Sequence, residues 1–129
     1  MRQNWIVVGS LSGALAVVLG AFGAHALKER LSPADLDVWH TAVLYQALHA
    51  LALLAAGALG ARTGRGAAAG WAFLAGSVLF SGSLYGLALG GPNILGPITP
   101  LGGLAFVLGW LLLAWAARGA MGRPCQDSE

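Results

Sequence analysis

Charged side chains are scarce in this sequence of 129 residues, because Asp, Glu, Lys and Arg together make up only 9% of it. An ordinary soluble domain has roughly a quarter. Residues 3–27, 38–61 and 66–117 carry no formal charge, apolar residues make up 57% of the chain, and the mean hydropathy is +0.73. A soluble fold could not cover its surface with so few polar groups. The composition therefore excludes a soluble enzyme, a nucleic-acid-binding module and a disordered tail.

The sequence also lacks the groups that enzymes and proton pumps require. Cys125 is the one cysteine, so no intrachain disulfide can form. A proton-coupled exporter needs an ionisable group, generally an acid, within the membrane, and the three uncharged stretches contain no Asp or Glu. No nucleophile, base and acid occur in a combination that supports catalysis. We therefore predict that the protein is not an enzyme and has no catalytic residues, no metal and no cofactor.

The uncharged stretches predict an all-α integral membrane four-helix bundle. About 20 apolar residues suffice to cross the hydrocarbon layer of a bilayer. The run at 90–93 (GGPN), followed by Pro97 and Pro100, must divide the longest stretch, because these residues disfavour helix. Ser32 and Pro33 predict the start of the second helix, as a capping hydroxyl and a first-turn proline. The chain is thus a single transmembrane domain with spans at about 5–27, 38–61, 68–89 and 99–117, and a polar tail at 118–129.

Basic residues predict the orientation of these spans, because short cytoplasmic connections are rich in Lys and Arg. Lys28 and Arg30 lie on one side of the predicted topology. Five lie on the other side: Arg2, Arg62, Arg65, Arg118 and Arg123. We therefore expect both termini in the cytoplasm and the protein in the cell inner (plasma) membrane, with an organelle membrane as the alternative. A signal peptide is disfavoured because the first apolar run is too long. Trp39 is expected at headgroup depth.

Glycine is abundant, with 20 residues, and most of them lie inside the predicted spans. Membrane helices pack through small residues that let two backbones approach closely. We therefore predict a compact bundle whose helix contacts include seven glycines: Gly9, Gly13, Gly20, Gly82, Gly86, Gly102 and Gly103.

Uncharged polar and titratable residues form the candidate site. Thr41, Tyr45 and His49 are spaced by four and share one helix face, with Gln46 beside His49. His40 is nine residues before His49, so the two rings point in opposite directions and cannot form a metal pair. His49 is interpreted as a structural hydrogen-bonding group, with proton handling or ligand contact, and metal or haem ligation, as alternatives. The predicted cluster, toward the outer half of the membrane, contains nine residues: His25, His40, Thr41, Tyr45, Gln46, His49, Ser81, Ser83 and Tyr85.

Four segments of the sequence resemble a family of small membrane proteins typified by bacterial YgdD, with mitochondrial relatives. They are residues 20–27 (GAFGAHAL), 39–50 (WHTAVLYQALHA), 76–85 (GSVLFSGSLY) and 96–103 (GPITPLGG). The resemblance covers all four predicted spans. It implies a four-span membrane protein of uncharacterised function and contributes no activity or cofactor.

Two classes of function fit these observations. The first is a structural or accessory protein of the lipid bilayer, packing with itself as a homo-oligomer or with a larger membrane complex through its small-residue faces, with no nucleic-acid partner. The alternative is a channel, a transporter or a binder of a lipophilic, quinone-type ligand that uses the polar cluster. Paired, dry polar side chains would favour the first class. An open cavity reachable from outside or from lipid would favour the second.

Overall fold

The computed structural model describes residues 2–122 and is all-helical, as predicted. Four stretches are long and apolar enough to cross a membrane, which is consistent with a four-span bundle. Most of the predicted polar tail, with Cys125 and Arg123, lies outside the described residues. The elements are α1 (Arg2–His25), α2 (Pro33–Thr63), α3 (Gly66–Gly76), a π-helical segment (Ser77–Ser81), α4 (Gly82–Ala88) and α5 (Leu95–Met121).

The ends of the helices follow from local sequence chemistry. The hydroxyl of Ser32 accepts the main-chain N–H of Asp35 at 3.1 Å, which confirms the predicted start of α2. Gly64, with a φ of 70°, ends α2 in a left-handed conformation that suits glycine. Gly90 adopts a φ of 84° in the break after α4, where the sequence predicts a turn.

The last helix begins earlier than the predicted fourth span. α5 starts at Leu95 rather than near residue 99. Pro97 lies in its first turn, where a main-chain N–H has no partner within the helix, so the proline does not interrupt it. Pro100 lies inside α5.

The third span is one continuous rod with a widened turn in the middle. It consists of α3, the π-helical segment and α4, and covers Gly66–Ala88. The N–H of Gly82 donates to the carbonyl oxygen of Ser77, five residues earlier. This π segment was not predicted. Such segments are uncommon and frequently occur at functional sites.

Several predicted glycines lie at close contacts between helices. A Cβ on Gly9 would lie 2.8 Å from the carbonyl oxygen of Ala50, so α1 and α2 approach closely there. A Cβ on Gly102 would lie 2.7 Å from the Cα of Phe80, so α5 is pressed against the π segment. The other predicted glycines in contact with a residue of another helix are Gly13 (Ala50), Gly20 (Val43), Gly86 (Leu95) and Gly103 (Phe80).

Gly82 is the exception, and its predicted packing role is wrong. A Cβ there would meet nothing within 4 Å, because Gly82 faces outward. Other packing glycines were not predicted, at positions where an aromatic ring of another helix covers the glycine. Trp5 covers Gly70, and Phe106 covers Gly76.

The helix α2 is central and contacts each of the other spans. Its Trp39 is only 3% exposed and donates from Nε1 to the carbonyl oxygen of Leu19 in α1 at 2.9 Å. Trp39 therefore faces other helices rather than lipid, and its depth in the bilayer stays a prediction. Its ring packs between helices, 4.7 Å from that of Tyr85, because the facing glycine in α1, Gly23, leaves room for it.

Candidate functional site

The nine predicted polar residues do not form one cluster. His25, His40 and Thr41 are exposed at the end of the bundle where α1 ends and α2 begins. The hydroxyl of Thr41 donates to the carbonyl oxygen of Asp37 in its own helix at 3.0 Å. Among residues 2–122, no three His, Cys, Asp or Glu side chains are grouped so that they could hold a metal ion. This part of the predicted cluster is separate from the interior groups.

Gln46 joins three helices. Its Nε2 donates to the carbonyl oxygen of Ser12 in α1 at 3.1 Å, and its Oε1 accepts the hydroxyl of Tyr85 in α4 at 2.6 Å. The side chain is buried. Gln46 was expected beside His49, but it faces α1 and α4 and makes no hydrogen bond to His49. Its role in the structure is to tie these helices together.

Two of the three serines of the third span are paired as well. Ser81 is buried and donates to the carbonyl oxygen of Ala42 in α2 at 2.8 Å. Ser83 shares a hydrogen bond of 2.6 Å with the hydroxyl of Thr99 in α5. The π segment places Ser81 toward α2 and precedes Ser83, which is directed toward α5.

His49, near the middle of α2, has both ring nitrogens engaged. The indole Nε1 of Trp110 in α5 donates to its Nε2 at 3.2 Å. An indole nitrogen can only donate, so Nε2 must be the unprotonated nitrogen. Nδ1 therefore carries the proton and donates to the carbonyl oxygen of Tyr45 at 2.7 Å. The ring is a neutral imidazole in a fixed orientation, stacked on Phe106 at 3.5 Å between centroids.

Tyr45 differs from the other interior polar residues. Its ring lies 4.5 Å from that of Phe80, and 38% of its surface is exposed. Its hydroxyl makes no hydrogen bond to any described residue, whereas that of Tyr85 is bonded to Gln46. Tyr45 therefore has free hydrogen-bonding capacity near the middle of α2.

Tyr45 and His49 line an open groove between α2 and α5, which we name the α5 groove. Its volume is about 630 Å³. The walls are aromatic and aliphatic, and the α5 side includes a proline and a glycine. The lining residues are Tyr45, Leu48, His49, Phe80, Pro100, Gly103, Leu104, Phe106, Val107 and Trp110.

A second open groove, the α1 groove, lies between α1 and the third span. Its volume is about 460 Å³, and five of its ten lining residues are leucine or valine. The hydroxyl of Ser77 is buried there without a hydrogen-bond partner among the described residues. The lining residues are Leu11, Ser12, Leu15, Leu19, Gln46, Leu74, Ser77, Val78, Gly82 and Tyr85.

The α5 side of the α5 groove was not predicted from the sequence. Pro100, Gly103, Val107 and Trp110 recur at spacings of three and four, so they share one face of α5. That periodicity was available as a signal. Phe80 had no comparable signal, because the π segment changes which residues of the third span share a face.

The known proteins to which this chain is similar are membrane proteins. A family model described as "Protein of unknown function (DUF423)" matches residues 19–103. The UPF0382 membrane protein YwdK of Bacillus subtilis is 47% identical over 116 residues, covering 88% of this chain and 94% of that protein. A UPF0382 membrane protein of Staphylococcus epidermidis is 46% identical over 113 residues, covering 87% and 93%. No solved structure matches.

Proposed function

The chain belongs to the DUF423 family of membrane proteins of unknown function, which corresponds to the YgdD family, and on that premise we propose that it binds a lipophilic small molecule in the α5 groove. The family match confirms the resemblance that the sequence showed. One observation carries the proposal: Tyr45 presents a hydroxyl without a partner in an open aromatic groove. In a membrane protein such a groove opens toward lipid.

The dimensions and lining of the α5 groove support this proposal. Small-molecule sites usually have volumes of roughly 300–1,000 Å³, apolar and aromatic walls and few polar groups, and the groove of about 630 Å³ lies within that range. Tyr45 and His49 lie near the middle of α2, and Trp110 near the middle of α5. A ligand would therefore enter sideways from the bilayer core.

The polar pairing inside the bundle favours binding over conduction. A pore needs polar groups that can hydrate a passing ion or solute. The side chains of Gln46, Ser81 and Ser83 are instead bonded to neighbouring helices. The paired imidazole of His49 also argues against proton transfer, because a proton on Nε2 would face the N–H of Trp110.

An accessory role is the second candidate, and the same pairing favours it, since most of the interior polar groups hold the bundle together. The predicted route of association is less well supported. Glycines such as Gly9 and Gly102 are covered within the chain, so they offer no face to a second copy or a larger complex. A partner would have to use an exposed face such as that of α1, with Leu11, Leu15 and Val18.

We also propose that both termini lie in the cytoplasm of a bacterial cell, with the chain in the inner membrane. The connection at residues 64–65 lies at the same end of the bundle as the end of α5, because Arg65 lies over the ring of Trp115 at 4.6 Å. Arg118 belongs to that end too. These positions agree with the excess of basic residues on the predicted inner side.

The experiment is native mass spectrometry of the protein purified from its own membranes in mild detergent, which detects a bound lipophile as added mass. Gly103→Leu fills the α5 groove without a backbone clash, because a Cβ there lies 3.8 Å from the ring of Phe80. Gly82→Leu is the matched control, because it fills the α1 groove instead.

We expect the wild type and Gly82→Leu to carry the added mass and Gly103→Leu to lose it. A wild type without bound lipophile, or a Gly103→Leu protein that keeps it, would contradict the proposal. The first of these results would favour the accessory role.

A further inference from the structure

We infer that the ligand of the α5 groove is a quinone-type molecule, with a neutral planar ring whose carbonyl oxygen accepts a hydrogen bond from the hydroxyl of Tyr45. The inference rests on the proposed function and names the chemical class of ligand for that same site.

The hydrogen-bonding groups of the groove leave one free donor. Trp110 has a single donor, which His49 accepts, and the proton of His49 goes to the carbonyl oxygen of Tyr45. The hydroxyl of Tyr45 has no partner among residues 2–122. A ligand that matches the site has a hydrogen-bond acceptor at the depth of Tyr45. A plain acyl chain has none and would leave the hydroxyl unsatisfied, which is unfavourable away from water.

The groove also determines the charge of the ligand. None of its lining residues carries a formal charge, and the geometry of His49 fixes a neutral imidazole. A charged group near the middle of a membrane span is costly unless it is paired. The acceptor is therefore a neutral oxygen, such as a carbonyl, rather than a carboxylate or a phosphate.

The surfaces around Tyr45 favour a flat ring. The rings of Tyr45 and Phe80 lie 4.5 Å apart, and Trp110, which also lines the groove, is 44% exposed. Aromatic faces favour offset or edge contacts with another planar ring. Gly103 has no side chain, so the α5 wall leaves space there for a flat molecule. The apolar tail of a quinone would extend along Leu104 and Val107 into lipid.

The test measures the binding of two probes by native mass spectrometry of the purified protein in detergent. The probes are decylubiquinone and decylbenzene, which both carry a ten-carbon tail on a ring, whereas only the first has carbonyl oxygens. The variant is Tyr45→Phe, which removes the free hydroxyl. The matched control is Tyr85→Phe, because it removes the other tyrosine hydroxyl of the chain, which bonds Gln46 outside the α5 groove.

We expect the wild type to bind decylubiquinone more tightly than decylbenzene. Tyr45→Phe should weaken decylubiquinone binding by roughly 3- to 10-fold, the effect of one hydrogen bond, and leave decylbenzene binding unchanged. Tyr85→Phe should leave both affinities unchanged. Tyr45→Phe should also fold normally, because no described residue bonds the hydroxyl that it removes.

The outcomes distinguish an error in the ligand class from an error in the proposed function. Equal binding of both probes, with no effect of Tyr45→Phe and with loss of both in Gly103→Leu, would overturn the ligand class and leave lipophile binding in the groove intact. Binding of neither probe, or unchanged binding in Gly103→Leu, would overturn the proposed function together with this inference.

Discussion

The indole nitrogen of Trp110 donates to Nε2 of His49 over 3.2 Å and so ties the middle of α5 to the middle of α2. This bond determines which nitrogen of His49 carries the proton. It also fixes one wall of the α5 groove, because both rings line it. If the proposed function is correct, stability and ligand binding should therefore be coupled at this contact.

Trp110→Phe should lower the stability of the bundle. Nε2 of His49 would lose its donor and remain in an apolar setting, at a cost of about 1 kcal/mol. Thermal unfolding in detergent, followed by size-exclusion chromatography, would measure a lower melting temperature. Trp71→Phe is the control, because Trp71 is 61% exposed and meets Trp5 in a perpendicular ring arrangement that phenylalanine can also adopt. Equal melting temperatures of the two variants would argue against the Trp110–His49 bond.

Gln46 and Tyr85 should be energetically coupled. Their hydrogen bond of 2.6 Å joins α2 to α4, and such bonds between membrane helices contribute about 0.6 to 1.7 kcal/mol. A double-mutant cycle of Gln46→Leu and Tyr85→Phe, measured by unfolding in a denaturing detergent, should give a coupling energy in that range. Strictly additive effects would show that the two side chains act independently.

Gly102→Ala should destabilise the protein by about 1–3 kcal/mol, the usual effect of overpacking. The added Cβ would lie 2.7 Å from the Cα of Phe80, so the backbone of α5 or of the π segment must move. Gly82→Ala makes the same change where nothing lies within 4 Å and should retain wild-type stability or gain slightly. The comparison requires only melting temperatures, and an undisturbed Gly102→Ala would refute the close crossing.

The single cysteine makes the topology directly testable. In intact cells, a membrane-impermeant maleimide should leave Cys125 unlabelled until the membrane is opened, because the tail is expected inside. Asn93→Cys in a Cys125→Ser background should be labelled in intact cells, since Asn93 is exposed in the connection between α4 and α5. Labelling of Cys125 from outside would reverse the proposed orientation.

The fold could be predicted to a large extent from local chemistry. Ser32 and Pro33 predict the start of α2, and the uncharged stretches predict its apolar length. Gly9 was predicted at a contact because small residues inside a membrane span let two helices approach closely. These features depend on neighbours within one or two helical turns, so the linear sequence contains the information.

The arrangement of the site depends on contacts between distant segments and was only partly predictable. His49 and Gln46 are three residues apart in α2. His49 nevertheless bonds a residue of α5, whereas Gln46 bonds residues of α1 and α4. Spacing gives the directions of the side chains but not which helix lies there. Trp110 is 61 residues from His49, and no local pattern connects them.

Photolabelling tests the central claim most directly. The protein in lipid nanodiscs would be irradiated with an alkylquinone that carries a diazirine on its ring, and the labelled residues identified by peptide mapping. The account predicts label at Tyr45, His49 and residues 100–110 that unlabelled decylubiquinone displaces, in the wild type and in Gly82→Leu but not in Gly103→Leu. Label spread over the exposed face of α1 and insensitive to competitor would contradict it.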